Sequence, residues 1–171
     1  MLSLFAFILQ KILKKEIYFM ENIVVRGAKL RYRNFSGKET QYNRAGDRNF
    51  NWVIEDEDLA QKLIDDGWNV KIKKPRDPQA KPFYVLPVAV SYKCYAPTVI
   101  LKNAVGERVL DEETVGILDT SEIKNIKLEI RPRTWEVGGK KGVKAYLKTF
   151  VATLVENPFA HDEDDDEDAP F

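Results

Sequence analysis

R-P-R-T-W-E-V-G-G-K-K-G-V-K-A-Y-L-K-T-F, residues 131–150, decides the fold. It reads as a β-hairpin: Gly138, Gly139 and Gly142 permit a tight turn with Lys140 and Lys141 at its tip. Side chains alternate between faces along a strand, so Val143, Ala145, Leu147 and Val151 form one apolar, core-facing set. Lys144, Tyr146, Lys148 and Phe150 fall on the opposite face. In the incoming strand Leu128 and Ile130 share a face, and Arg131, Arg133 and Trp135 share the other.

Outward from this hairpin, most of the chain has the same period of two. Ile23 to Arg33 alternates, with Val24, Arg26, Ala28, Leu30 and Tyr32 on one side. Phe50 to Ile54 is a short aromatic strand. One helix interrupts the series: Glu55 to Asp58 place acids at its positive end, Leu59, Leu63 and Ile64 repeat at helical spacing, and Gly67 stops it. Trp68 to Lys73 alternates again, grouping Trp68, Val70 and Ile72. The proline-rich, charged segment 73–82 is a loop or flap. Further strands are expected over 83–93, 98–101, 126–135 and 142–155, with short turns and strands over 103–119. Short strands joined by turns, with one inserted helix, predict a mainly β domain built as a barrel or sandwich.

The formal charge of zero is a cancellation. Residues 1–155 hold all 27 Lys and Arg against 19 of the 27 Asp and Glu, and sum to +8; residues 156–171 carry the remaining acids and sum to −8. A basic body suits a polyanion, of which nucleic acid is the commonest. Cys94 is the only cysteine and His161 the only histidine. Internal disulfides, multi-His or Cys-rich metal sites and His-based hydrolytic triads are excluded on residue count. Acid pairs at Asp56/Asp58, Asp65/Asp66 and Asp111/Glu112/Glu113 fit a helix start, a helix end and a turn better than a two-metal nuclease. No phosphate-binding glycine motif is present. The expectation is a non-enzymatic protein without metal or cofactor.

Two clusters interleave cations with rings, as single-stranded nucleic acid requires: cations meet phosphates and rings stack on unpaired bases. The first is the hairpin, with Arg131, Arg133, Trp135, Lys140, Lys141, Lys144, Tyr146, Lys148 and Phe150. The second lies at the front and supplies Arg31, Arg33, Phe35, Arg44, Arg48, Phe50 and Trp52; Tyr32, Lys38 and Tyr42 fall in the same stretch. Residue by residue, a solvated sheet face over half-buried aromatics explains these positions as well.

The chain ends in Asp162, Glu163, Asp164, Asp165, Asp166, Glu167 and Asp168, followed by Ala169, Pro170 and Phe171. Seven adjacent like charges with no apolar cover predict a disordered tail. Phe171 behind Pro170 offers a partner an apolar ring to read. The expected domains are an N-terminal extension over 1–19, a binding domain over 20–155 and the acidic tail over 156–171. The extension is too short to span a bilayer, so no stable membrane insertion is expected. Two readings of it stay open, an amphipathic helix or a mis-called start ahead of Met20.

The acidic stretch with a final Pro-Phe resembles the tails of bacterial single-stranded-DNA-binding proteins. The body, over about residues 22–155, looks like phage-encoded single-stranded-DNA-binding proteins with an OB-type barrel. R-N-F-N-W-V-I at 48–54 with its following helix, D-G-W-N-V-K at 66–71 and W-E-V-G-G-K-K-G-V-K-A-Y-L at 135–147 carry that likeness. The insert at 73–82 and the segment before Met20 have no counterpart in it. The resemblance implies an OB-fold-like barrel that holds single-stranded DNA with little sequence preference in replication or recombination. It also implies a cytoplasmic location in a bacterial host, and replication or recombination partners recruited by Asp162 to Asp168 with Pro170 and Phe171. Oligomeric state stays open, a homo-oligomer included. A protein-interaction adaptor acting through the tail and a single-stranded RNA binder are the alternatives.

Overall fold

Gly138 and Gly139 take φ of 59° and 77°, and this left-handed pair closes a two-residue turn between the two longest of the described strands. The computed structural model describes residues 20–156; the expected N-terminal extension and the acidic tail lie outside them. In chain order the described elements are β1 (Ile23–Arg26), β2 (Lys29–Asn34), β3 (Arg48–Ile54), α1 (Glu57–Asp65), β4 (Lys71–Lys73) and β5 (Phe83–Val90). They continue with β6 (Thr98–Asn103), β7 (Gly106–Leu110), a 3-10 helix (Val115–Asp119), β8 (Ile123–Val137) and β9 (Lys140–Leu154). Among the described residues the fold is mainly β with one α-helix, and the segment between β4 and β5 is a loop. Lys140 and Lys141 open β9 instead of forming the hairpin tip, and Gly142 lies outside the turn.

The ladder runs β1-β8-β9-β5-β3-β2, with β4 added to β5, β6 to β9 and β7 to β6. β5 and β6 pair with β9 in parallel; the other pairings are antiparallel. β1 and β2 come from the single strand expected over 23–33. Gly27, at φ +68°, turns the chain there, so that β1 pairs with β8 and β2 with β3. The two ends of the ladder are therefore halves of one bent segment. No strand pairing joins them, so the OB-like sheet curls without closing.

Alternation along β9 breaks once. Glu129 pairs with Thr149 but Ile130 with Leu147, which leaves Lys148 as an extra residue. Before this bulge Val143, Ala145 and Leu147 are buried; after it Phe150 and Ala152 are. The expectation that Phe150 shares the cationic face is corrected by that one residue. Phe150 instead meets Phe35 and Phe50 in the core, with ring centroids 5.2 Å and 5.8 Å away, and Phe35 stacks on Phe50 at 5.4 Å. Phe50, Trp52 and Ile54 form the inward face of β3. Phe35, Phe50, Trp52 and Phe150 are thus core residues, not base-stacking rings, because burying them removes more apolar surface from water than burying the asparagines between them.

Asp119 pins this core from the 3-10 helix. Its carboxylate accepts hydrogen bonds from the backbone N–H groups of Phe35, at 2.6 Å, and Ser36, at 3.1 Å. Hydrogen bonds to a charged acceptor contribute about 1.5–3 kcal/mol each. Asp119→Ala is expected to destabilise the fold by about 2–3 kcal/mol on that basis, read as a lower urea midpoint at unchanged slope.

Helix α1 starts where the carboxylate of Asp56 accepts from the N–H groups of Asp58 and Leu59. It stops at Gly67, at φ +91°. Gly67 O accepts the N–H of Val143 at 2.9 Å, and Trp68 bridges to Val143. These contacts set the chain after the helix beside β9. Trp68 is buried and Val70 half-buried, but Ile72 is 59 % exposed, so the alternation expected over 68–73 ends in a short edge strand.

Candidate nucleic-acid interface

Strand register assembles the outward face. Across β8 and β9, Arg131 faces Tyr146, Arg133 faces Lys144 and Trp135 faces Gly142. Tyr146 continues to Ala89 of β5 and from there to Asn49 of β3, while Asn51 pairs with Pro87. The cations lie on rings: the Arg133 guanidinium is 5.9 Å and Lys144 Nζ 5.2 Å from the Tyr146 centroid, and Arg131 is 4.8 Å from that of Tyr95.

Trp135 is held down by an absence. A Cβ built on Gly142 would stand 2.8 Å from Cζ2 of the indole, inside any tolerated contact. The bare glycine lets the ring lie across β9, half in solvent. Gly142→Ala is expected to lift the indole, read as stronger acrylamide quenching of tryptophan emission. Trp135 dominates that signal because Trp52 and Trp68 are buried.

Beside this face runs a groove of about 1300 Å³. Its floor is the outward side of β3, β5 and β9, where Asn49, Asn51, Pro87 and Ala89 surface. One wall is the chain from Asn69 through β4 to Arg76, and the other is the hairpin arm with Trp135. Tyr32 and Tyr42 stand at its front. Among the described residues Lys71, Lys73, Arg76, Lys141 and Lys144 line it against a single acid, Asp47. A strip of amides and rings under five cations can hold a flexible polyanion and stack its bases.

Of the residues expected to bind, Trp135, Lys141 and Lys144 line the groove. Arg131, Arg133 and Tyr146 extend the same face, and Lys140 is exposed beside the turn. Others are engaged elsewhere. Arg31 sits 4.4 Å from the Phe83 ring centroid, and with Arg33 it lines a second cavity, of about 750 Å³, at the β1–β2 bend. Arg33 also donates to the Ser121 carbonyl at 3.1 Å. Arg48 pairs with Glu112 at 3.1 Å and lies over the ring of Tyr92. Burial raises the Tyr92 phenol above its ordinary pKa, although the Arg48 charge opposes that. Lys148 pairs with Glu129 at 3.0 Å; hydrogen bonds from Asn22 and Lys148 hold that carboxyl below its usual value. Arg44 is exposed in the loop before β3.

The structure adds Asn49, Asn51, Lys71, Lys73 and Arg76, which residue-by-residue reading passed over. Alternation in R-N-F-N-W-V-I carried the signal for the two asparagines once its rings are assigned to the core. Lys71, Lys73 and Arg76 belong to the groove only through the β4–β5 pairing and the Gly67–Val143 contact. Among the described residues no cluster of acids, histidine or cysteine could hold a metal ion, and no helix is long and apolar enough to cross a membrane.

No curated protein matches the chain. Among solved structures it is similar to the single-stranded DNA-binding protein from bacteriophage Enc34 in complex with ssDNA, with 15 % identity, a TM-score of 0.53 and coverage of 81 % of this chain and 89 % of that one. The C-terminal truncation of the Enc34 protein matches at 16 % identity and a TM-score of 0.48, over 81 % of this chain and 87 % of the other. At such identity the first of these likenesses speaks to the fold. A family model described as "Putative phage ssDNA-binding domain" matches residues 12–165. Spanning nearly the whole sequence, that match carries the conclusion that the chain belongs to the family of phage single-stranded-DNA-binding domains.

Proposed function

We propose that the protein binds single-stranded DNA along the groove between the β4 segment and the β8–β9 arm. It does so with little sequence preference, during phage replication or recombination in the cytoplasm of the bacterial host. The observation that carries this reading is the groove's lining, among the described residues, of five cations against one acid, with an exposed indole at its edge. Family membership and the OB-like fold support it. Binding alone is the activity: the lysines hold phosphates, Trp135 stacks on a base, and the asparagine floor offers hydrogen bonds without a fixed base pattern.

Titration of poly(dT) in rising salt tests it. Each cation displaced from a phosphate of a single strand adds about −0.7 to the slope of log K against log salt, so five engaged cations give about −3.5. Lys141→Ala with Lys144→Ala is expected to flatten the slope by about 1.4 on the same relation. No binding at low salt overturns the proposal.

The tail is assigned two roles, occupying the groove when it is empty and recruiting replication or recombination partners through Pro170 and Phe171. The equal and opposite charges of body and tail support this. Removing residues 161–171 is then expected to keep or raise DNA affinity while abolishing partner capture; an adaptor acting through the tail alone would show no DNA binding to keep. Competition between matched DNA and RNA oligonucleotides separates the two nucleic acids.

A further inference from the structure

Tyr32 is the one non-glycine residue with a left-handed backbone among those described, at φ 55°. A bulky side chain pays steric strain there, and such outliers persist only where the surroundings enforce them. Here the enforcing feature is a bulge. Arg31 pairs with Asn51 and Asn34 with Asn49, so Tyr32 and Arg33 together oppose Phe50. Plain alternation after Ala28 and Leu30 would send Tyr32 inward, onto Phe50 in the core. The extra residue turns it outward instead, where the residue is 67 % exposed and stands at the front of the groove. Among the described residues it has none of the cation–π contacts that engage Phe83, Tyr92, Tyr95 and Tyr146. Neither the core nor a surface pair explains an aromatic residue at a position that glycine or asparagine would occupy without strain.

We infer that Tyr32 is a base-stacking platform, held over the groove in a strained backbone that the fold tolerates for the sake of binding. This rests on the proposed DNA-binding role of the groove and adds to Trp135 a second stacking ring, at the groove's front. Stability and affinity should therefore move in opposite directions at this residue.

Tyr32→Asn and Tyr32→Gly both suit a left-handed backbone, and Tyr32→Trp keeps a ring. Measured by urea unfolding, Asn and Gly are expected to raise the midpoint. Measured by anisotropy of a fluorescein-labelled oligo(dT) at fixed salt, they are expected to weaken binding about tenfold, within the range for loss of one stacked base. The salt slope should stay unchanged, because no phosphate contact is lost. Tyr32→Trp is expected to bind within about threefold of wild type, as a ring is retained. Wild-type binding with unaltered affinity in Tyr32→Asn overturns the platform role alone. A midpoint that falls in both Asn and Gly variants overturns the strain. Absence of wild-type binding overturns the proposed function, and this role with it.

Discussion

Trp135→Ala is expected to weaken oligo(dT) binding by about 5- to 150-fold, the range for loss of one stacked base, while leaving the unfolding midpoint close to wild type. The two halves of that result have separate causes. The indole is 44 % exposed on the distal part of the β8–β9 arm, so truncating it removes little from the core. It also lies at the groove edge with Lys141 and Lys144, where a base brought in by its phosphate would meet the exposed indole. The same geometry assigns the fluorescence signal. Trp52 and Trp68 are 4 % and 6 % exposed, so Trp135 is expected to dominate quenching by DNA, although Trp68 also touches the groove. Trp135→Phe is expected to retain most of the affinity and lose most of the quenching. Persistent quenching in that variant would assign the signal to Trp68, which also lines the groove, and normal affinity in Trp135→Ala would take the arm out of the interface.

How far the sequence could be read depended on whether a strand kept its period. Across Arg131, Arg133 and Trp135, and again across Lys144 and Tyr146, alternation is unbroken; these residues do share one face, as the pattern implied. Two bulges ended that legibility. One extra residue at Lys148 moved Phe150 to the core, and one between Arg31 and Asn34 parted Tyr32 from the face of Ala28 and Leu30. A bulge shifts the phase of the alternation without changing composition, so a strand read with one fixed period assigns every residue beyond it to the wrong face. In β3 the period was right but the faces were exchanged: rings were read as ligand-facing where burial claimed them. Counting cations had a similar limit. Arg48 and Lys148 looked available until Glu112 and Glu129, distant in sequence, were brought against them. The groove's other wall was hidden for the converse reason, since it depends on β4 joining β5 and on Val143 binding Gly67.

Phe50→Ala is expected to lower stability by about 3–5 kcal/mol, the usual cost of removing a buried ring. Phe50 is fully buried between Phe35 and Phe150, at the one place where β3, β9 and the segment held by Asp119 converge. Its loss empties the centre of the triad, and the rigid strands around it cannot collapse to fill the space. A domain has only about 5–15 kcal/mol to lose, so a large share of the folded state's margin disappears. For a domain of this size that is a fall in Tm of roughly 10–20 °C. Affinity per folded molecule, measured by anisotropy well below the new midpoint, should stay within about threefold of wild type, since no stacked base is lost. A stacking role for Phe50, which its place among basic residues suggested, requires the reverse: lost affinity at an unchanged midpoint. Asn49 and Asn51 flank it on the groove side, so Asn51→Ala supplies the contrast, with a small change in stability and a measurable loss of binding. The pair of variants separates the two faces of β3, one holding the fold and the other offered to DNA.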